Sequence, residues 1–169
     1  MSIPLHVVLV VALAALVVPE LVAATTPGTQ VQLDRILSHV NGRVVTESDV
    51  RQARALKLVA DVSSDGAAQR GVEDRFLILG EMNRSTPIAP PTDADIAAQR
   101  SSWAASLGPD VAGLLAKNGM SDADLQAWLR DDLRIRAYLK RQFGMLPEGD
   151  RVRATDDWLA RLRQRADLH

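Results

Sequence analysis

Three times along this chain a hydroxyl side chain is followed, three residues later, by an aspartate at the head of a helix-forming run: Thr46 with Asp49, Thr92 with Asp95 and Ser121 with Asp124. In such a pair the hydroxyl accepts a bond from an N–H of the first turn while the carboxylate reaches back, so open backbone donors are satisfied. Glycine and proline supply the stops at Ser63-Ser64-Asp65-Gly66, at Pro87, Pro90 and Pro91, at Gly108-Pro109, at Gly119 and from Gly144 to Gly149. The spacing predicts helices over about 47–62, 67–85, a third opening at Thr92, a short fourth with Pro109 at its first position, then 122–143 and 150–165. The second helix carries Val72, Phe76, Leu79 and Met82 on one side, with Leu77 and Ile78 elsewhere, and such an all-round apolar helix belongs in the centre of a domain. The longest helix has a stripe of Leu125, Trp128, Leu129, Ile135, Leu139 and Phe143, inside which Asp132 and Arg136 are spaced for an ion pair.

One strand signal interrupts this pattern. Asn41-Gly42 suits a type I′ turn, in which both central residues need positive φ. A two-residue loop pairs Val40 with Arg43, His39 with Val44 and Ser38 with Val45, and places Ile36, Val40 and Val45 on one face with Leu37 and Val44 on the other. A lone hairpin that is apolar on both faces needs a cover, and Ala166-Asp167-Leu168-His169 is the one other segment able to supply a strand. The expected fold is mainly α: about six helices with a small β-hairpin near the N-terminus, joined by a C-terminal strand.

The first residues read as an address. Val7 to Val18 is an unbroken apolar run of 12 residues, shorter than the roughly 20 needed to span a bilayer. Val22-Ala23-Ala24 then offers small residues for signal cleavage after Ala24. No lysine or arginine precedes the run, so an uncleaved anchor over residues 3–24 stays open as the alternative. Residues 1–24 are thus read as a signal peptide, 25–34 as a flexible tether and 35–169 as one domain, periplasmic or secreted, with no membrane span after cleavage.

Composition narrows the chemistry. Lys plus Arg total 20 against 21 Asp plus Glu, which leaves no net field for nucleic acid, and 115–129 resembles a helix-turn-helix only in outline because Asp122 and Asp124 stand where phosphates would lie. Cysteine is absent, and the three histidines, His6, His39 and His169, are far apart. This excludes thiol catalysis and zinc–thiolate sites, and no spacing suggests a metal or hydrolase cluster. The expectation is a non-enzymatic protein without cofactor or metal.

The order of six short motifs carries a resemblance. The stretch from Ile36-Leu37-Ser38-His39-Val40-Asn41-Gly42 to Thr46-Glu47-Ser48-Asp49-Val50 resembles the opening of the SurA N-terminal chaperone domain. Arg75-Phe76-Leu77-Ile78-Leu79, Pro91-Thr92-Asp93, Gly119-Met120-Ser121, Tyr138-Leu139-Lys140-Arg141-Gln142-Phe143 and the closing segment from Trp158 to Leu168 follow in that family's order. The resemblance implies an exported, ATP-independent holdase for unfolded outer-membrane or secreted polypeptides. Such chaperones usually carry parvulin prolyl-isomerase domains between the long helix and the returning C-terminal helix. Here only Gly144 to Gly149 lies there, so nothing of parvulin size fits. Prolyl-isomerase activity by family, a dedicated peptide-binding or structural subunit, and homo-oligomerisation remain as alternatives. Weak binding of many apolar sequences suits flexible thioethers and aromatics on helices, and Met82, Trp103, Met120, Trp128, Phe143 and Met145 are the candidate peptide-binding residues. Met120 and Met145, beside glycines in loops, are the ones expected to be exposed.

Overall fold

The structure, a computed structural model, describes residues 34–85 and 87–166. The expected signal peptide, the tether up to Leu33 and the third strand beyond Ala166 lie outside those residues. The chain is mainly helical with one small antiparallel hairpin: β1 Ile36–Val40, β2 Arg43–Thr46, α1 Glu47–Ala55, α2 Asp65–Arg84, α3 Asp93–Ala105, α4 Val111–Lys117, α5 Asp122–Phe143 and α6 Glu148–Arg165.

All three hydroxyl–aspartate pairs form capping boxes, at the starts of α1, α3 and α5. Asn41 and Gly42 have φ of 50° and 78°, the left-handed pair that a type I′ turn requires. The register is the expected one near the turn, with Val40 opposite Arg43, His39 opposite Val44 and Ser38 opposite Val45. Val40 and Val45 are fully buried. Ile36 is not on their face: a bulge between Ile36 and Ser38 sets Ile36 opposite Thr46. The extra residue reverses the alternation, so Ile36 is exposed and Leu37 packs against the core.

α2 and α6 each begin two residues before the expected position, at Asp65 and Glu148, and two other boundaries differ with a structural cause. α1 stops at Ala55 instead of near Val62, because Lys57 takes φ 49° and the N–H groups of Lys57 and Leu58 bond back to the carbonyls of Arg54 and Ala53. This is a Schellman closure in which lysine occupies the place glycine usually fills, and it turns the chain so that Leu58 and Val59 pack inward. Pro109 is not the first residue of α4; Asp110 is its N-cap, accepting from the Gly113 N–H at 3.0 Å.

α2 is the hub, contacting β1, β2, α1, α5 and α6. Its buried side chains include Ala68, Val72, Leu77, Ile78, Leu79 and Met82, and the core around it forms three clusters. The first joins the hairpin, α1, α2 and Leu162 of α6, with Ala166 packed alongside. The second gathers Leu56, Ile96, Trp103, Leu115, Met120, Leu125 and Leu129 under α3 and α4. The third joins Ile78, Leu79 and Met82 to Ile135 and Tyr138. The described end of the chain thus returns to the cluster that holds the hairpin.

Candidate functional site

The six candidate residues separate into interior and surface groups. Met82, Trp103 and Met120 are buried, a correction to their reading as groove residues. Trp103 is held in place by its indole N–H, which donates to the Leu56 carbonyl at 2.8 Å. Met120, expected in the open beside Gly119, is the residue after a second Schellman turn: its N–H bonds to the Leu115 carbonyl while both side chains join one cluster. The apolar contact that accompanies this turn, between the residue after the glycine and the third-last helical residue, pulls the methionine inward. Trp128 is half-buried beneath the Arg75 guanidinium, 4.0 Å from its ring centroid. Phe143 meets Trp158 edge-on at 5.9 Å between centroids. Met145 alone stands free, 98% exposed.

Arg75 is a residue that sequence reading missed, although its place one helical turn from Val72 and Leu79, on the face of α2 that carries them, was a signal. It is the one buried charged side chain among the described residues. Besides stacking on Trp128 it donates to the Trp128 carbonyl at 2.7 Å, and Asp131 and Asp132 lie 3.9 and 3.7 Å from its nitrogens. Burial lowers its pKa to about 10 while the two aspartates oppose the shift. Both carboxylates are also engaged outward, Asp131 by Arg134 and Asp132 by the expected partner Arg136. The set ties α2 to α5. Among the described residues no three His, Asp or Glu side chains are grouped to hold a metal ion.

Surface apolarity gathers at one place. Of the five large hydrophobic side chains that are exposed among the described residues, Met145, Leu146 and Val152 belong to the turn between α5 and α6 and the first turns of α6. Beside them is an open groove of about 470 Å³ lined by Arg136, Leu139, Lys140 and Gly144 from α5 and its cap, and by Arg151, Val152, Thr155 and Asp156 from α6. The spacing explains the lining: 136, 140 and 144 recur every four residues on α5, and 151 with 155 and 152 with 156 do so on α6, so each helix contributes one face. Leu139 also packs against the third core cluster, which anchors the groove floor. Gly144 is required at the corner, because a Cβ there would collide with the Lys140 carbonyl.

The rim is cationic. The segment from Arg134 to Arg153 carries six basic and two acidic side chains, in a chain whose totals are 20 and 21. Most of these cations are already paired within their helix: Arg136 with Asp132 at 2.6 Å, Arg151 with Glu148, and Arg153 with Asp150 at 2.6 Å. Arg141 lies over the Tyr138 ring. Lys140 has no carboxylate within ion-pairing distance among the described residues. A larger hollow of about 580 Å³ lies between the hairpin, α1 and the start of α2, but Arg35–Glu47 and Arg54–Asp65 pairs occupy its edge.

No family model, no curated protein and no solved structure matches this chain.

Proposed function

We propose that the chain is an exported, non-catalytic peptide-binding module of the SurA N-terminal kind, an ATP-independent holdase for unfolded outer-membrane or secreted polypeptides, and that the α5–α6 groove receives them. The observation that carries this reading is the concentration of exposed Met145, Leu146 and Val152 beside a concave face floored by Leu139. An isolated exposed apolar side chain has no meaning, whereas a cluster at a groove marks a surface that is covered in use. Its open, partly polar lining suits shallow and reversible capture of side chains rather than a single snug ligand. Met145 is the thioether that adapts to different occupants. Of the residues singled out in the sequence, Phe143 packs edge-on against Trp158 and Met145 is exposed directly after Gly144 of the groove corner; the buried Met82, Trp103 and Met120 shape the core.

The test is suppression of aggregation by the purified full chain, without nucleotide, for several unrelated unfolded clients including a β-barrel. The expected result is lowered light scattering at near-stoichiometric chain, lost in a Met145→Asp, Val152→Asp double variant whose helical circular dichroism is unchanged. Unaltered scattering for every client would defeat the proposal; protection of one client only would make the chain a dedicated subunit. In a protease-coupled proline assay the expected rate is the uncatalysed one.

A further inference from the structure

Building on the peptide-binding reading, we infer that the α5–α6 groove selects apolar segments flanked by carboxylates, and that Lys140 is the specificity-determining residue. Leu139 and Val152 give the groove an apolar floor and wall, and the cations rise around them: Arg136 and Lys140 along α5, Arg151 across on α6. Arg136 and Arg151 divide their charge with Asp132 and Glu148 of their own helices. Lys140 alone keeps its full charge for an incoming group, four residues from Gly144 at the corner of the groove. The counter-charge within the lining is Asp156, on α6. A segment with an apolar side chain for the floor and an aspartate or glutamate beside it satisfies both surfaces, whereas a lysine-flanked segment brings like charges together.

The same cations could face an anionic lipid surface, but two features favour a peptide. Leu139 and Val152 line a hollow, and Glu148, Asp150 and Asp156 lie among the cations on α6, where a lipid headgroup layer would meet them. A second copy of the chain is the remaining occupant, and it is separable by experiment.

The experiment is titration calorimetry of the full chain with four end-blocked peptides of equal length. Three have a leucine–phenylalanine centre flanked by aspartates, serines or lysines; the fourth has aspartate flanks and a serine centre. The expected order of affinity is aspartate, serine, lysine, with about tenfold between the first and the last at low salt, the scale of a few solvent-exposed charge contacts. The ratio should shrink to about threefold or less in 0.5 M salt. Lys140→Glu is expected to erase or invert the order and Lys140→Arg to keep it, while Val152→Asp weakens all three apolar peptides. Equal binding of aspartate- and lysine-flanked peptides would overturn charge selection and leave the peptide-binding reading standing. Failure of all three apolar peptides would overturn both. Equal binding of the serine-centred peptide, binding to phosphatidylglycerol vesicles without binding to peptides, or a sedimenting dimer dissolved by Val152→Asp would each replace the inference with an anion patch, a lipid surface or self-association.

Discussion

At the scale of single residues the most informative side chain is Arg75. Its guanidinium is buried, stacked on one tryptophan and bonded to that residue's carbonyl, with its two carboxylate neighbours at the limit of ion pairing. Geometry of this kind points to packing and the carbonyl bond rather than Coulomb attraction as the source of stability, because distant shared carboxylates do not repay the desolvation of a charge. Arg75→Ala empties the space over the Trp128 ring and removes the charged donor to a carbonyl that α5 also bonds, which should cost about 2–4 kcal/mol in urea denaturation. Arg75→Met keeps the stem and removes the charge; its loss should be less than half as large. Equal losses in the two variants would instead make the charge itself the stabilising element. Trp103→Phe, which deletes the donor to the Leu56 carbonyl, should cost about 1–2 kcal/mol.

At the scale of elements the caps decide where helices begin. Ser121→Ala removes the acceptor for the Asp124 N–H at the start of the longest helix and should cost about 1 kcal/mol. The cap hydrogen bonds from Thr92 and Ser121 hold the Asp95 and Asp124 carboxyls below their ordinary value, and the Arg100 guanidinium does the same for Asp122. A carboxyl whose pKa is lower when folded binds its proton more readily when unfolded. Its contribution is therefore complete above the unfolded value near 4 and is lost as the pH falls through the lower, folded one. Stability should accordingly fall on acidification below about pH 4, and Asp124→Asn should show a shallower fall and a lower plateau at pH 7. These starts were legible in the sequence because side chains within four residues determine them, as was the Asn41-Gly42 turn. The end of α1 was not, since Lys57 adopts the left-handed conformation under the pull of Leu58 and Val59 toward the core. The bulge at Leu37 has the same origin: burial of Leu37 overrides the simple alternation that placed Ile36 inside. The groove was half legible. Met145 was recognisable as a surface methionine, but that α6 lies beside the last turns of α5, bringing Val152 near Leu139, depends on long-range packing through Tyr138, Phe143 and Trp158.

At the scale of the whole molecule the apolar interior is divided. α3 and α4 are covered by a cluster that meets the rest chiefly through Leu56 and the first half of α5, whereas α2 is enclosed by elements from both ends of the described chain. Local opening costs least where few long-range contacts must break, so amides of α3 and α4 should exchange with deuterium well before those of α2. Leu125→Ala, at a fully buried site in that cluster, should lower global stability by about 2–5 kcal/mol and widen the gap between the two regions. The division also gives the molecule an internal optical ruler. Trp103 lies in the second cluster, Trp128 borders the first, and Trp158 touches the first and third. Variants that retain a single indole would therefore emit from the second cluster, from the edge of the first, or from the seam of the first and third, and stopped-flow fluorescence could time the assembly of each with no dye attached.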